Sequence, residues 1–102
     1  MVHWMRTANI KGGKFMEALG WAKEMAAFGE KAFGTGKIRV FLDSFGDVST
    51  IRWVIEYPDL ATCEKAMEKV LTDADYWKRV NQAFAAGLFV DGATRDVVMR
   101  EV

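Results

Sequence analysis

The stretch from Lys37 to Tyr57 constrains the fold most, because its pattern predicts a β-hairpin with two faces of opposite character. If the turn is centred on Gly46 and Asp47, six large apolar residues pair across the strands: Leu42 with Ile51, Val40 with Trp53 and Ile38 with Ile55. The same register pairs Asp43 with Thr50, Phe41 with Arg52, Arg39 with Val54 and Lys37 with Glu56. Since side chains alternate along a strand, one face is predicted to join a core and the other to remain a mixed, charged surface.

The flanking segments supply two more strands and a broken pair of helices. Strands are predicted at Val2–Ala8 and Thr94–Val102. The first helix is predicted at Lys14–Phe33. A second begins after an N-cap at Asp59 and ends at a break over residues 72–75, where a third helix begins and runs to about Ala86. The order is βαββαβ, which indicates one ferredoxin-like α+β domain over residues 1–102. Its helices cover one face of a four-stranded antiparallel sheet.

The long first helix carries two apolar stripes. We expect the first to be buried; it contains Phe15, Leu19, Ala22, Ala26 and Phe33. The second lies about 100° further round the helix and contains Trp21, Met25, Phe28 and Ala32. This second stripe is typical of an interface or an extended core.

Composition excludes several classes of protein. The 102 residues include fourteen acidic and fourteen basic side chains, so no basic excess points to nucleic acid or an anionic membrane. No apolar run is long enough to span a bilayer, and Arg6 and Asn9 interrupt any signal-peptide region. The single cysteine, Cys63, suits a reducing compartment. We therefore expect a cytoplasmic protein.

A helix-covered sheet leaves its other face bare. A bare face that is partly apolar indicates a partner, and the simplest partner is a second copy of the chain. The sequence therefore predicts a homodimer in which two sheets face each other around a shared interior.

Several short motifs resemble NIPSNAP-like proteins. The opening Met-Val-His-Trp-Met-Arg-Thr-Ala-Asn-Ile-Lys-Gly-Gly-Lys-Phe is similar to the family's first strand and turn, with Gly12 where proline is usual and Ala8 where an aromatic is usual. The runs Asp73-Ala74-Asp75-Tyr76, Leu88-Phe89-Val90-Asp91-Gly92 and Arg95-Asp96 are also similar.

The resemblance implies a dimeric α+β barrel of the superfamily that includes antibiotic-biosynthesis monooxygenases and heme-degrading enzymes. NIPSNAP-like proteins have no settled enzymatic activity. Heme degradation in this superfamily uses a histidine from the second helical region, and residues 59–87 contain none. No cofactor is therefore expected.

The candidate ligand-binding residues are those predicted on the bare face. If Met5 packs under the helices, alternation turns Trp4 and Arg6 towards that face. The set is then Trp4, Arg6, Arg39, Phe41, Arg52 and Glu56, with Asp43 beside them. Arginine suits a carboxylate or phosphate, and the aromatic rings suit an apolar body, so one interpretation is a pocket for a small anionic or aromatic molecule. The alternative is a structural network of salt bridges at the dimer seam.

No catalytic base is evident. His3 is the only histidine and is expected beside Met5 on the helix-packed face, while Cys63 is expected to be inert core. The two are too far apart in sequence to suggest a metal site. Cofactor-free monooxygenases of the superfamily hold substrates with residue types that occur here at Asn9, Trp4, Trp53, Tyr57 and Arg52. Trp53 and Tyr57 are nevertheless predicted to be core.

Three functions remain open from the sequence. The first is a NIPSNAP-like homodimer that binds a small molecule without a defined reaction. The second is a cofactor-independent monooxygenase. The third is a protein-interaction module that docks a partner through Trp21 and Phe28.

Overall fold

The computed structural model describes all 102 residues. In chain order the elements are β1 (Val2–Asn9), α1 (Phe15–Phe33), β2 (Ile38–Leu42), β3 (Thr50–Tyr57), α2 (Leu60–Leu71), α3 (Ala74–Ala85) and β4 (Arg95–Arg100). The four strands form one antiparallel sheet in the order β2-β3-β1-β4. The predicted ferredoxin-like α+β class is therefore confirmed, and the predicted element bounds differ from these by a few residues.

The hairpin register is confirmed residue by residue. Ile38 pairs with Ile55, Val40 with Trp53 and Leu42 with Ile51. The three apolar residues on β3 are buried. Their partners on β2 pack against the same core but are only partly buried, because β2 is an edge strand. A shift of either strand by one residue would turn its three apolar side chains to the opposite face, so burial of this face fixes the register.

Local signals set the helix ends. The Asp59 carboxylate accepts a hydrogen bond from the Thr62 backbone N–H at 2.8 Å, and Asp73 accepts one from the Tyr76 N–H at 2.8 Å. Each aspartate satisfies a donor that the first helical turn leaves free. Helix α1 ends at Gly34, whose φ of 59° is left-handed and favours glycine.

Small residues form the buried side of α1. They are Ala18, Ala22, Ala26 and Gly29, spaced three or four apart. The expectation that Phe15 belongs to the buried stripe is wrong, because its ring is 41% exposed. Small side chains let the helix backbone approach the sheet closely enough for the Trp53 indole N–H to donate to the Ala22 carbonyl oxygen at 3.1 Å.

The helices pack on one sheet face, and the opposite face, here called the open face, carries none. The main core lies between the helices and the sheet and includes Trp4, Trp53, Tyr57, Cys63 and Phe89. The predicted core positions of Trp53 and Tyr57 are therefore confirmed. None of the helices has both the length and the apolar character needed to cross a membrane.

Candidate functional site

The six candidate ligand-binding residues do not share one surface. Arg39, Phe41 and Arg52 lie on the open face, as expected, because they alternate with the buried residues of the hairpin. Glu56 joins them on β3, between the buried Ile55 and Tyr57.

Trp4 and Arg6 lie on the opposite, helix-packed face, and their expected position is wrong. They pair with Ile55 and Trp53, which face the helices. Trp4 is 7% exposed, within the core. The larger indole, and not Met5, takes the buried position on β1, since its burial removes more apolar surface from water. Arg6 follows by strand alternation, and Arg6, Arg39 and Arg52 therefore do not converge.

His3 also lies on the other side from the one expected. It belongs to the open face with Met5, where its Nε2 is 3.0 Å from the Glu56 carboxylate. The two residues are directly paired across β1 and β3. Both side chains are partly exposed, so this contact contributes little stability.

Arg52 on the open face is already bound by neighbouring side chains. Its Nε and Nη2 donate to the two carboxylate oxygens of Asp43 at 3.0 and 3.1 Å, and Nη1 donates to the Thr7 hydroxyl at 3.0 Å. The hydrogen bonds from Arg52 hold the pKa of Asp43 below its usual value. This arrangement resembles the structural salt-bridge alternative more than a receptive anion site.

An apolar row crosses three strands of the open face. Val54 of β3 pairs with Met5 of β1, which pairs in turn with Val97 of β4. Val97 is 45% exposed, and Phe41 on the neighbouring row is 47% exposed. The open face therefore combines exposed apolar side chains with ion pairs formed within the chain.

A cavity of about 290 Å³ lies between the sheet and the three helices. Nineteen of its twenty-three lining residues are hydrophobic, and they include all four tryptophans of the chain: Trp4, Trp21, Trp53 and Trp77. Trp21, expected on an outer or extended-core stripe, packs edge-to-face on Trp53 at 6.1 Å between ring centroids. Trp21 and Phe28 thus line the interior of the domain.

Arg6 is the only charged residue in the cavity wall. Its Nε and Nη2 donate to the two carboxylate oxygens of Asp96 at 2.8 and 2.9 Å, and Nη1 donates to the Tyr76 hydroxyl at 2.6 Å. The guanidinium also lies 5.1 Å from the centre of the Trp4 ring. Burial alone would lower the pKa of Arg6, but Asp96 and Tyr76 raise it above its ordinary value, so the group is always charged.

Tyr57 and Cys63 are a second pair of titratable groups in the interior. Burial raises the pKa of the Tyr57 phenol to about 12, with a smaller contribution from Cys63. Burial likewise raises the pKa of the Cys63 thiol, which keeps it protonated and unreactive near neutral pH. No group of three or more His, Cys, Asp or Glu side chains is arranged to hold a metal ion.

Sequence reasoning missed Tyr76 and Asp96 as partners of Arg6. Both occur in the family-like runs, but those short motifs indicate no role for either residue. The available signal was the alternation along β1, where Val2, Trp4, Ala8 and Ile10 share one parity. That parity puts Arg6 under the helices, where a buried cation needs partners.

The chain is similar to known proteins in structure but not in sequence. No protein-family model and no curated protein sequence matches the chain. A NIPSNAP family protein from Agrobacterium tumefaciens superposes with a TM-score of 0.78 at 17% identity, covering 99% of this chain and 92% of the other. A NIPSNAP domain protein from Burkholderia xenovorans gives 0.77 at 15% identity, covering 100% and 95%.

An antibiotic biosynthesis monooxygenase also superposes, with a TM-score of 0.72 at 17% identity, covering 100% of this chain and 99% of the other. Identities this low establish fold and leave activity open. The resemblance found in the sequence is thus confirmed at the level of fold: this chain has the ferredoxin-like α+β structure found in NIPSNAP family proteins and in an antibiotic biosynthesis monooxygenase.

Proposed function

We propose that the protein binds a small, largely apolar molecule of aromatic size in the cavity between the helices and the sheet. The observation that carries this proposal is the cavity itself, with its aromatic lining and the hydrogen bond between Arg6 and Tyr76 in its wall. Small-molecule sites typically combine an apolar wall with a few placed polar groups, and their volumes begin at roughly 300 Å³.

The packing around the cavity supports a binding role. Trp77 and Phe84 in the wall are 41% and 49% exposed, so the cavity opens to solvent and water reaches its apolar surface. Here four tryptophans surround the space without filling it, while the small residues Ala26, Gly29 and Ala83 form part of its wall. A ligand that fills the cavity would remove this apolar surface from water, which favours binding.

Calorimetric titration with 2-acetylnaphthalene tests this proposal. We expect one molecule to bind per chain. Ala83→Met, which places a larger side chain in the cavity wall, should abolish binding, because Ala83 is buried and faces the cavity. Ala85→Met, on the exposed side of the same helix, is the matched control and should bind normally. Equal binding by both variants, or no binding by the wild type, would reject the proposal.

We also propose that two copies of the chain pair through their open faces. The apolar row of Val54, Met5 and Val97 offers surface whose burial contributes roughly 25 cal/mol per Å². The carboxylate of Asp43 and the guanidinium of Arg52 are paired within the chain, so a partner could cover them without leaving either charge alone. The candidate residues Arg39, Phe41, Arg52 and Glu56 then lie at the seam between protomers.

We also propose a cytoplasmic location for the protein. The buried free thiol of Cys63 is compatible with such a location.

A cofactor-independent monooxygenase is the second candidate, favoured by the phenol and indole groups of Tyr57, Trp4 and Trp53 in the cavity wall. Such side chains could hold an oxidisable aromatic molecule away from water. The test is oxygen uptake on addition of 1,4-dihydroxynaphthalene. Uptake above protein-free autoxidation that disappears in Ala83→Met would support catalysis, and uptake equal to autoxidation would exclude it for this substrate.

A further inference from the structure

The directions of the hydrogen bonds at Tyr76 restrict which functional group a ligand in the cavity can carry. This inference rests on the proposed function. A guanidinium has donors and no acceptor, so in the 2.6 Å contact with Arg6 the Tyr76 oxygen must accept. The phenolic proton is left free, and Tyr76 donates to no other group of the protein. Tyr76 is 8% exposed and faces the cavity, so a ligand there is the natural acceptor.

The charge of Arg6 is not free to attract an anion. Both carboxylate oxygens of Asp96 accept from it, at 2.8 and 2.9 Å, which neutralises the pair. No other charged residue lines the cavity. A carboxylate entering this space would lose its hydration without gaining an unpaired cation, which is strongly unfavourable.

Aromatic neighbours hold the two polar groups in position. The Tyr76 ring packs edge-to-face on Trp77 at 5.1 Å between centroids, and Arg6 stacks over Trp4 at 5.1 Å. A donor that is fixed before binding loses little entropy when its acceptor arrives. The Tyr76 hydroxyl is therefore a preorganised hydrogen-bond donor for one acceptor atom of the ligand.

We propose that the cavity selects an apolar molecule that carries a neutral carbonyl oxygen, such as a ketone or quinone, and that this oxygen accepts a hydrogen bond from Tyr76. A carboxylate of the same size is disfavoured. Of the small anionic or aromatic molecules expected from the sequence, this disfavours the anionic ones, because the charge of Arg6 is already paired with Asp96.

Three probes with one naphthalene body test the proposal by calorimetric titration at fixed pH and salt. They are 2-acetylnaphthalene, the alkene 2-isopropenylnaphthalene, which has the same shape without the oxygen, and 2-naphthoate. We expect the ketone to bind about three- to tenfold more tightly than the alkene, as one net hydrogen bond implies. The naphthoate should bind more weakly than the ketone.

Tyr76→Phe isolates the donor. It keeps the ring, so the alkene should bind as to the wild type, while the ketone should lose its advantage. Phe45→Ala, at the exposed hairpin tip and outside the cavity wall, is the control and should keep the ketone preference. Circular dichroism of each variant confirms folding before titration.

The outcomes distinguish failure of the carbonyl inference from failure of the proposed binding function. If the naphthoate binds more tightly than the ketone, or if the ketone preference survives in Tyr76→Phe, the carbonyl inference is wrong while binding of the alkene still supports the cavity as a site. If none of the three probes binds to the wild type, both the inference and the proposed function fail.

Discussion

The guanidinium of Arg6 donates two hydrogen bonds to the carboxylate of Asp96, with Nε–Oδ1 at 2.8 Å and Nη2–Oδ2 at 2.9 Å. The two residues are paired positions on β1 and the edge strand β4. A third bond, from Nη1 to the Tyr76 hydroxyl, extends the contact to α3. One side chain thus joins three elements at the wall of the cavity.

Replacing Asp96 by asparagine should destabilise the fold. The Arg6 guanidinium would then lose its counter-charge, and because both side chains are partly exposed we expect a loss of about 1 kcal/mol in the free energy of unfolding. Urea denaturation measures this loss. Asp91→Asn, at an exposed loop position, is the control and should change little. An Asp96→Asn protein as stable as the wild type would mean that the pair contributes no net stability.

Replacing Trp53 by alanine should cost about 3–5 kcal/mol, because it removes a large buried ring and leaves a void. The change also deprives the Ala22 carbonyl of the indole N–H and removes the ring contact with Trp21. Phe45→Ala is the comparison, since that ring is 94% exposed at the hairpin tip. Urea melts should separate the two variants clearly, and similar midpoints would contradict the burial of Trp53.

The phenol of Tyr57 should make stability depend on pH in the alkaline range. Its folded pKa of about 12 lies above the unfolded value of roughly 10, because burial favours the neutral form. The contribution is fully present below pH 10 or so and is lost as the pH rises through about 12. Tyr57→Phe should therefore lose less stability than the wild type between about pH 9 and pH 12. Parallel losses in thermal melts over this range would show that the phenol is not buried.

Met5→Glu should dissociate the proposed dimer. Met5 lies between Val54 and Val97 in the apolar row, and a carboxylate there would be buried against apolar side chains. Sedimentation at micromolar concentration should show twice the 11.5 kDa chain mass for the wild type and the single-chain mass for the variant. Phe45→Glu should remain dimeric, since Phe45 lies at the hairpin tip. A dimer that survives Met5→Glu would have to form through another surface.

The hairpin could be predicted because the alternation of apolar and polar residues is local and occurs in both of its strands. Alternation runs along both strands, and the turn between them fixes which residues pair, so Trp53 and its neighbours could be assigned to the core. The helix starts were predictable for a similar reason at Asp59, whose side chain caps the helix directly after it.

The expected orientation of β1 is wrong because it depends on Met5 alone. Met5 is the one apolar residue among otherwise polar odd positions, whereas Trp4 shares its parity with Val2 and Ala8. The parity of the whole strand predicts a core position for Trp4, which the structure has. Arg6 obscured this pattern, since a charge at a buried position is unusual unless it is paired.

The cavity and its polar wall could not be derived from the sequence. Arg6 and Asp96 are 90 residues apart and meet only when β4 pairs with β1. Tyr76 reaches Arg6 because α3 packs against α1 and α2, which no local pattern specifies. The empty space itself depends on how closely α1 approaches, through Ala22 and Ala26.

A crystal structure of the protein soaked with 2-acetylnaphthalene tests the central claim most directly. We predict density for the naphthalene body between the helices and the sheet, with the ketone oxygen within hydrogen-bond distance of the Tyr76 hydroxyl. Density on the open face beside Arg52, with the cavity empty, would contradict this account and restore the ligand site expected from the sequence.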